Sequence, residues 1–325
     1  MNDTHKISVG IPIYNCGKYI EKCASSLLEQ TYTNIEYVFV DDCSTDDTLI
    51  SLQATINKYP HRKEQIKIIK LTINGGLANA RNAAIESMTG DYYTFCDGDD
   101  WIDHNAYASM ISKAQKTNAD IVCTPFFVNK KDKQSISHFP NTNICELNTI
   151  PLNAIHFSLC NKLIKSNLFT DNGIKVLENV NCWEDLSIVA RLFTLSNNVV
   201  ILDTPYYHYR KQGKTSLTTS CHKRILKDHI TCAILLDRWF RAQGSDIYDR
   251  YAPFILFLKF TAKIKMLRGR EKEIANWKAT FPETNLHIMS FHNIPIHYRL
   301  LFKTVNSLPT RITQPIANAI QIFYE

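Results

Sequence analysis

The chain has 325 residues, is 45% hydrophobic and 21% charged, and contains only 10 Gly and 11 Pro. This composition excludes a disordered or a collagen-like protein, and the length predicts one large domain with a smaller one. Ten cysteines occur without a CxxC pair or zinc-type spacing, as expected for free thiols in a reducing compartment. Neither a run of about 18 apolar residues nor the apolar core of a signal peptide is present, so we expect a cytoplasmic protein.

The net charge of +6 is unevenly distributed along the chain. Residues 216–325 contain 16 Lys and Arg against 8 Asp and Glu, a net charge of +8, whereas residues 1–215 have a net charge of −2. A basic region of this kind can face nucleic acid or an anionic membrane, or it can be a solvated helix surface. No nucleic-acid-binding module is recognisable, so we expect no nucleic acid partner.

The first 125 residues alternate short apolar runs with amphipathic patterns of helical period. Strands rich in β-branched residues alternating with helices of 10–15 residues predict βαβ units and a parallel sheet. The predicted strands are 7–13, 35–40, 66–71, 92–96 and 121–124, and the predicted helices are 20–28, 48–59, 77–88 and 104–116.

Local signals add detail to this pattern. Ser44, with Asp47 three residues later, predicts a capping box at the start of the second helix. Further along, the sequence predicts a polar loop or irregular hairpin at 126–150, a helix at 155–168 and a strand at 198–202. From residue 219 onward only helical periodicity remains.

Two predicted strands run directly into carboxylates. Asp41 and Asp42 follow the second strand, and Asp97, Asp99 and Asp100 follow the fourth. Ligands of open α/β sheets bind at the carboxyl ends of the strands, and acids so close together need a cation or hydrogen-bond donors nearby. Mg²⁺ typically binds one or two carboxylates together with substrate phosphates. The alternative is that these acids cap helices or form turns.

In these segments the chain resembles glycosyltransferase family 2, whose members have the GT-A fold. The resemblance covers residues 6–217 and depends on the order and spacing of several motifs. They are SVGIPIYN at 8–15, SLLEQT at 26–31, VDDCSTD at 40–46, NGGLANARN at 74–82, GDY at 90–92, DGDDW at 97–101, NKL at 161–163, WEDL at 183–186 and YYHYR at 206–210. The resemblance implies an α/β, Rossmann-like GT-A domain at 1–218, with a mostly parallel sheet flanked by helices, and a C-terminal helical region at 219–325.

The resemblance also implies a nucleotide-sugar donor, with UDP as the expected nucleotide. Pro12, Tyr14 and Asn15 are expected to form the floor of the nucleotide pocket. Asp41 or Asp42 is expected to accept a hydrogen bond from the uracil or the ribose, and strand alternation does not decide between them.

Three further residues are expected at the donor. Gly76 lies in the turn before the third helix and is expected to contact the nucleotide sugar. Arg81, one helical turn later, is expected to bind the diphosphate or the base, and the alternative is a surface ion pair. Arg210 is expected to close over the diphosphate.

The resemblance assigns the chemistry to four carboxylates. Asp97 and Asp99 match the D-x-D motif, in which the first acid faces the ribose and metal and the second binds Mg²⁺ or Mn²⁺. Asp185 is the expected general base for the acceptor hydroxyl, with Glu184 as the second choice. The alternative for this pair is an acid-rich helix N-terminus.

We therefore expect an inverting, metal-dependent glycosyltransferase of the hexosyl or N-acetylhexosaminyl type. Its acceptor would be a glycan or a lipid-linked glycan of a bacterial surface polysaccharide. One alternative is a non-catalytic nucleotide-binding assembly subunit. The other, a sugar-phosphate nucleotidyltransferase, is disfavoured because YNCGK at 14–18 replaces a Gly-rich loop, and Walker and GxGxxG motifs are also absent.

The C-terminal third has two stretches, 251–270 and 298–322, in which apolar residues are interleaved with Lys and Arg. Such helices can lie on an anionic membrane surface, or they can pack with their charges outward. We expect them to pack as helices and to favour a peripheral location on the inner face of the cytoplasmic membrane.

Overall fold

The computed structural model describes residues 5–131, 133–139, 156–211, 222–267 and 270–324. The chain divides into two compact units, one of Met1–Ile150 with Ala154–Ser216 and one of Pro151–Asn153 with Leu217–Glu325. The predicted boundary between residues 218 and 219 lies outside the described residues.

The first unit is an α/β structure in which helices alternate with the strands of the sheet. Its strands are β1 (Ile7–Ile13), β2 (Ile35–Asp41), β3 (Ile66–Lys70), β4 (Tyr92–Phe95), β5 (Trp101–Ile102), β6 (Ile121–Cys123), β7 (Phe126–Lys130), β8 (Lys133–Ser137), β9 (Lys162–Lys165), β10 (Val199–Ile201) and β11 (Tyr207–Arg210). Its helices are α1 (Ile20–Leu28), α2 (Thr48–Ile56), α3 (Leu77–Ser87), α4 (Ala106–Thr117), α5 (Asn167–Thr170) and α6 (Glu184–Leu195), with a 3-10 turn at Pro60–Gln65.

The central sheet has seven strands in the order β10-β6-β9-β4-β1-β2-β3. Every neighbouring pair is parallel except the two that involve β9. Strands β1 and β4 are buried along their whole length, as expected for strands covered by helices on both faces. The predicted mostly parallel α/β fold is confirmed. A second sheet of four strands, in the order β5-β11-β7-β8, includes the hairpin in the 126–150 segment.

The predicted helix at 155–168 is wrong within the described residues. The segment from 162 to 165 is the antiparallel strand β9, and the short helix α5 follows it. Leu163 and Ile164 are fully buried, and β9 pairs with β4 on one side and β6 on the other. Two long-range ladders of backbone hydrogen bonds therefore outweigh a local helical pattern.

The predicted capping box is also wrong. Helix α2 begins at Thr48, and the carboxylate of Asp46 accepts the Thr48 backbone N–H at 3.0 Å. The Ser44 hydroxyl instead accepts the backbone N–H of Asn15 at 3.0 Å. Ser44 thus links the loops that follow β1 and β2 and does not cap a helix.

The second unit is helical over the described residues. It contains α7 (His222–Ala242), α8 (Ser245–Ile264), α9 (Glu271–Ala279), α10 (Ile296–Ser307) and α11 (Thr310–Tyr324), with a 3-10 segment at Pro282–Ser290. Phe260, Trp277 and Phe302 lie at the centre of its core, where the last two rings stack with centroids 6.0 Å apart. Within the described ranges, we find no helix with the length and apolar character needed to cross a membrane.

Candidate active site

The carboxyl ends of β1, β2 and β4 meet at one edge of the central sheet, because β1 pairs in parallel with both of its neighbours. Asp41 is the last residue of β2, and the loop after β4 contains Asp97, Asp99 and Asp100. The first turn of α6 reaches the same place through side-chain contacts with α3. The predicted metal-binding acids and the predicted base acids are therefore close together in space.

Arg81 of α3 connects these two groups of acids. Its side chain is 1% exposed. Nη2 donates to Oδ1 of Asp97 at 3.0 Å, while Nη1 donates to Oε1 of Glu184 at 2.9 Å and to Oδ1 of Asp185. The alternative prediction, that Arg81 forms an ion pair on the surface, is therefore wrong. Because both Nη atoms already bind carboxylates, a direct contact with a diphosphate would require these bonds to change.

The backbone before α6 turns sharply to present the acid pair. Trp183 has a left-handed conformation, with φ of 70°, and its carbonyl accepts the first helical hydrogen bond, from Ser187, at 2.8 Å. Glu184 and Asp185 follow in the first turn, where the helix dipole favours negative charge. A second donor, the backbone N–H of Leu159, lies 3.2 Å from Oδ2 of Asp185.

Burial changes the acidity of this pair. Burial, and then the charge of Asp185, raise the pKa of Glu184 to about 8, although Arg81 acts in the opposite direction. Burial also raises the pKa of Asp185, again against the effect of Arg81. Two carboxyl groups that share one guanidinium in a buried site resist double ionisation.

The loop after β4 is held by residues of β11. The hydroxyl of Tyr207 donates to Oδ2 of Asp100 at 2.5 Å, and the backbone N–H of Arg210 donates to Oδ1 at 2.6 Å. Burial, and then the charges of Asp97 and Asp99, raise the pKa of Asp100 well above its ordinary value. Asp100 thus acts as a buried anchor, which leaves Asp97 and Asp99 as the partly exposed acids of the loop.

Arg210 lies beside this loop, as the sequence predicted for a residue near the diphosphate. Its Nε donates to the carbonyl oxygen of Asp99 at 2.8 Å. The guanidinium carbon lies 4.8 Å from the ring centre of Tyr19 and 4.9 Å from that of Trp101. Two aromatic rings therefore fix the position of a cation next to the D-x-D motif. Whether it contacts a diphosphate stays a prediction.

Asp41 and Asp42 are both buried but have different partners. Asp42 accepts the backbone N–H groups of Gly75 and Gly76, each at 2.8 Å, and so holds the turn that precedes α3. Asp41 accepts the backbone N–H of Ser44 at 3.2 Å. Gly76 has φ of 83°, and a Cβ atom there would overlap the side-chain amide of Asn181. The turn therefore requires glycine at this position.

The segment after β1 forms the exposed wall of this edge. Pro12 is buried within β1, whereas Tyr14 is 51% exposed. Asn15 has φ of 48°, and its Oδ1 accepts the backbone N–H of Thr45 at 2.8 Å. These contacts fix the loop beside the D-x-D residues, but a nucleotide contact for Pro12, Tyr14 or Asn15 stays a prediction.

The residues present fit the divalent cation that the D-x-D motif implies. Burial, and then the charge of Asp97, raise the pKa of Asp99 to about 6, so a cation would relieve an existing repulsion. Among the described residues, we find no group of three or more His, Cys, Asp or Glu side chains arranged as a metal site. Asp97 and Asp99 would therefore supply two ligands, and diphosphate oxygens and water would supply the others.

Several residues of the site were not assigned a role from the sequence. Tyr207 and Asp100 anchor the acidic loop, and Trp101 and Tyr19 flank Arg210. The acidic run at 97–100 and the aromatic YYHYR motif were visible in the sequence. Their pairing was not, because β11 lies more than 100 positions after β4.

Comparison with known proteins identifies the family and the fold of the chain. The model of the family described as glycosyl transferase family 2 matches residues 8–173. The glycosyltransferase GlyG of Streptococcus pneumoniae serotype 4 is 27% identical over 227 residues, which cover 66% of this chain and 73% of GlyG. The poly(ribitol-phosphate) beta-N-acetylglucosaminyltransferase TarS of Staphylococcus aureus is 29% identical over 215 residues, which cover 64% of this chain but only 36% of TarS.

Two solved structures share the fold over nearly the whole chain. The crystal structure of S. aureus TarS 1-349 in complex with UDP-GlcNAc has a TM-score of 0.70 at 20% identity and covers 98% of this chain and 91% of that one. The mannosyltransferase PcManGT from Pyrobaculum calidifontis, in complex with GDP-Man and Mn²⁺, has a TM-score of 0.58 at 13% identity and covers 99% and 89%. At these identities the comparison establishes the GT-A fold.

Proposed function

The chain belongs to glycosyl transferase family 2 and is a glycosyltransferase, and from this premise we propose that it transfers a sugar from a UDP-sugar to an acceptor hydroxyl with inversion. The transferred group is a hexose or an N-acetylhexosamine. The acceptor is a glycan or a lipid-linked glycan of a cell-surface polymer.

One observation carries the proposal. The buried guanidinium of Arg81 joins Asp97 of the D-x-D loop to the acid pair Glu184 and Asp185 in a single cluster. A displacement at the anomeric carbon needs a charge-stabilising site for the leaving diphosphate and a proton acceptor on the opposite face of the sugar. The Arg81 guanidinium holds Asp97, from the loop proposed to bind the metal at the diphosphate, and also the acid pair proposed to supply the proton acceptor.

Asp185 is the better candidate for the proton acceptor. Two donors, Nη1 of Arg81 and the Leu159 N–H, bind different oxygens of the Asp185 carboxylate and so favour its ionised form. The side chain of Asp185 is also 23% exposed, against 12% for Glu184. Arg81 and the Leu159 N–H orient the carboxylate. In this role Asp185 accepts the proton of the acceptor hydroxyl as that oxygen attacks the sugar.

We propose Asp97 and Asp99 as the residues that hold Mg²⁺ or Mn²⁺. When bound, the cation offsets the negative charge that develops on the leaving diphosphate. Arg210, fixed 2.8 Å from the Asp99 carbonyl through its Nε, places a second positive charge at the same position. The structurally similar mannosyltransferase PcManGT was solved in complex with GDP-Man and Mn²⁺, which is compatible with this assignment.

For the nucleotide we propose Asp41 as the acid that contacts the uracil or ribose. Both oxygens of Asp42 already bind the backbone of the 74–76 turn, whereas Asp41 has one described side-chain hydrogen bond, to the Ser44 N–H. Tyr14 and Asn15 lie on the exposed side of the same edge. The structurally similar TarS fragment was crystallised with UDP-GlcNAc, which favours UDP here as well.

We also propose a peripheral membrane location, through the second unit. No acidic residue occurs between Glu283 and Glu325, while three Lys and Arg residues do. On α10, Ile296 and Leu300 are 52% and 50% exposed, and they share a helix face with Lys303. An apolar and basic face of this kind complements an anionic lipid surface, where a lipid-linked acceptor would be presented.

A donor screen tests the proposed function. The purified chain is incubated with Mn²⁺ and a panel of UDP-, GDP- and dTDP-sugars, and both the melting temperature and the release of nucleoside diphosphate are measured. A bound donor raises the melting temperature because it stabilises only the folded state. We expect a UDP-sugar to give the largest increase and metal-dependent UDP release, and the product's anomeric configuration by NMR to be inverted.

The same screen separates the alternatives. Nucleotide binding without turnover of any donor, with or without added glycan acceptors, would support the assembly subunit. Release of pyrophosphate from UTP and a sugar 1-phosphate would support a nucleotidyltransferase. Preference for a GDP-sugar would contradict the assignment of UDP but not that of the family.

A further inference from the structure

A buried lysine of β9 lies at the centre of the loop that contacts the proposed base. The side chain of Lys162 is fully buried. Its Nζ donates to the carbonyl oxygens of His156 and Ser158 at 2.5 Å and 2.6 Å, and to Oδ1 of Asn161 at 2.8 Å. An ammonium group has three N–H donors, so all of them are used within one short loop. Burying this charge is costly unless such partners are present.

The same loop supplies the hydrogen bond to Asp185. The backbone N–H of Leu159 donates to Oδ2 of Asp185 at 3.2 Å, and the carbonyl of Leu159 accepts the backbone N–H of Lys162 at 3.1 Å. The two carbonyl groups bound by Nζ, those of His156 and Ser158, precede Leu159. Lys162 therefore fixes the peptide group that carries the N–H pointing at the base, through the Ser158 carbonyl, and the following peptide group, through its own backbone N–H.

Asn161 attaches this loop to the rest of the sheet. Its Nδ2 donates to the carbonyl of Thr124 at 2.6 Å, and the backbone N–H of Thr124 donates back to the Asn161 carbonyl at 3.0 Å. Asn161 is also buried. One end of the loop is thus tied to the end of β6, and the Lys162 ammonium group holds the other end.

The charge of Lys162 also acts on Asp185. The groups that act electrostatically on Asp185 come from several elements: Arg81 of α3, Asp97 after β4, Lys162 of β9 and Glu184 of the same helix. Burial raises the pKa of Asp185 and Asp97 raises it further, while Arg81 and Lys162 lower it. The Lys162 ammonium group therefore has two effects: it orders the loop, and it favours the ionised form of Asp185, which is the form that a general base needs.

We propose that Lys162 is a positioning residue for the general base, because it holds the loop at 156–161 so that the Leu159 N–H orients the Asp185 carboxylate. The proposal rests on the proposed function, since it takes Asp185 as the proton acceptor. Lys162 touches neither the donor nor the acceptor in this role, and it acts through Leu159 and Asp185.

The test compares Lys162→Met with Lys165→Met. Lys165 lies on the same strand but binds a carboxylate away from this loop, Oδ1 of Asp120, at 3.0 Å. Transfer is measured with the UDP-sugar selected by the donor screen, and the Kd of UDP with Mn²⁺ by calorimetry. We expect Lys162→Met to lower kcat by about 10- to 100-fold, because the base is misaligned, with donor KM and the Kd of UDP within about threefold of wild type. In Lys162→Met the acidic limb of the kcat–pH profile should move to higher pH, because Asp185 loses a nearby positive charge. Lys165→Met should leave kcat, KM, Kd and the pH profile unchanged.

Two outcomes would overturn the proposal. One is a wild-type kcat in Lys162→Met. The other is a parallel change in kcat, KM and Kd with an unmoved acidic limb, which indicates a general structural role. If Lys162→Met does not fold, Asn161→Ala removes the anchor while the ammonium keeps its two carbonyl partners. A smaller decrease in kcat, with a smaller shift of the acidic limb in the same direction, then supports the proposal, and an unchanged kcat contradicts it.

Failure of the proposed function has a different signature. In that case the wild type releases no nucleoside diphosphate from any donor of the panel. The amide proton of Leu159, followed by NMR in ¹⁵N-leucine-labelled protein, still tests the loop. It should respond to the titration of Asp185 in the wild type and lose this response in Lys162→Met. Equal responses would overturn the positioning role.

Discussion

Nη1 of Arg81 and Oε1 of Glu184 lie 2.9 Å apart, although the two residues are separated by 103 positions in the chain. The same guanidinium binds Asp97, so α3, the loop after β4 and the start of α6 are joined at one point. A shift of any of these three elements would therefore alter both the metal-binding acids and the acid pair.

Replacing Arg81 by Met should lower the free energy of unfolding by about 3 kcal/mol at pH 8, because three carboxylates lose a buried counter-charge. The loss should be smaller at pH 5, since carboxyl groups with a raised pKa take up protons in the folded state first. Urea unfolding at both pH values measures this. In the control, Lys175→Met breaks an exposed pair with Glu86 and should cost at most about 1 kcal/mol. Equal losses at the two pH values would contradict the electrostatic explanation.

Replacing Asp185 by Asn should decrease kcat by a factor on the order of 100 or more, because the amide cannot accept the proton of the acceptor hydroxyl. Binding of UDP and Mn²⁺ should stay close to wild type. Glu184→Gln should retain more activity, since the side chain of Glu184 is less exposed than that of Asp185, 12% against 23%, and so is less accessible to an acceptor. Steady-state kinetics and calorimetry on both variants check this. A greater decrease in kcat in Glu184→Gln than in Asp185→Asn would identify Glu184, and not Asp185, as the general base.

Binding of Mn²⁺ should weaken as the pH falls through about 6, because protons then compete for the Asp99 carboxylate, whose pKa is raised to about 6. Below this pH the half-saturating Mn²⁺ concentration should rise about tenfold per pH unit. Calorimetric titration from pH 7.5 to 5, with UDP present, measures the effect. Asp99→Ala should abolish metal-dependent turnover, whereas Asp171→Ala, on an exposed turn, should not. Full metal-dependent activity in Asp99→Ala would remove Asp99 from the metal site.

Gly76→Ala should destabilise the first unit more than Gly173→Ala. Both glycines have positive φ, 83° and 60°, so both substitutions strain the backbone by about 1 kcal/mol. Only at Gly76 does the added Cβ also overlap Asn181, whereas nothing lies within 4 Å at Gly173. Thermal unfolding of the two variants isolates the steric contribution. Gly76→Ala should also lose activity, because it displaces the start of α3 and with it Arg81.

Binding to anionic vesicles should depend on the exposed face of α10. We expect co-sedimentation with vesicles that contain phosphatidylglycerol, weaker binding to phosphatidylcholine, and a decrease as salt is raised. The double variant Ile296→Ser, Leu300→Ser should reduce binding at least several-fold. Ile50→Ser, at a 71% exposed position on α2, should not. Binding that is equal for both lipids and insensitive to salt would reject the electrostatic part of the proposal.

The sheet and its acidic edge could be predicted from the sequence because their signals are local. Each buried strand is a short apolar run, and Asp41 and Asp97 follow two such runs directly. Parallel pairing then brings the ends of neighbouring strands together without any further information. The same local signals predict the helices α1 to α4 to within a few residues.

The contacts that organise the site could not be predicted in this way, because they depend on pairing between distant segments. Two of the three carboxylates bound by Arg81 come from α6, more than 100 positions away. Strand β9 depends in the same way on its pairing with β4 and β6. Lys162 stands in a motif that supported the family resemblance, yet its role depends on a loop conformation that has no periodic signature. The choice between Asp41 and Asp42 likewise required the position of the 74–76 turn.

The positions of the four tryptophans give the molecule a built-in optical reporter. Trp101 follows the D-x-D loop and contacts Arg210, and Trp183 directly precedes the acid pair. Trp239 and Trp277 lie on α7 and α9 of the helical unit. Emission from Trp101 and Trp183 should respond to nucleotide and Mn²⁺, whereas emission from Trp277, which is fully buried in the core of the helical unit, should not. The double variant Trp239→Phe, Trp277→Phe, which keeps only the two tryptophans of the site, would therefore allow donor binding to be followed by fluorescence without any attached dye.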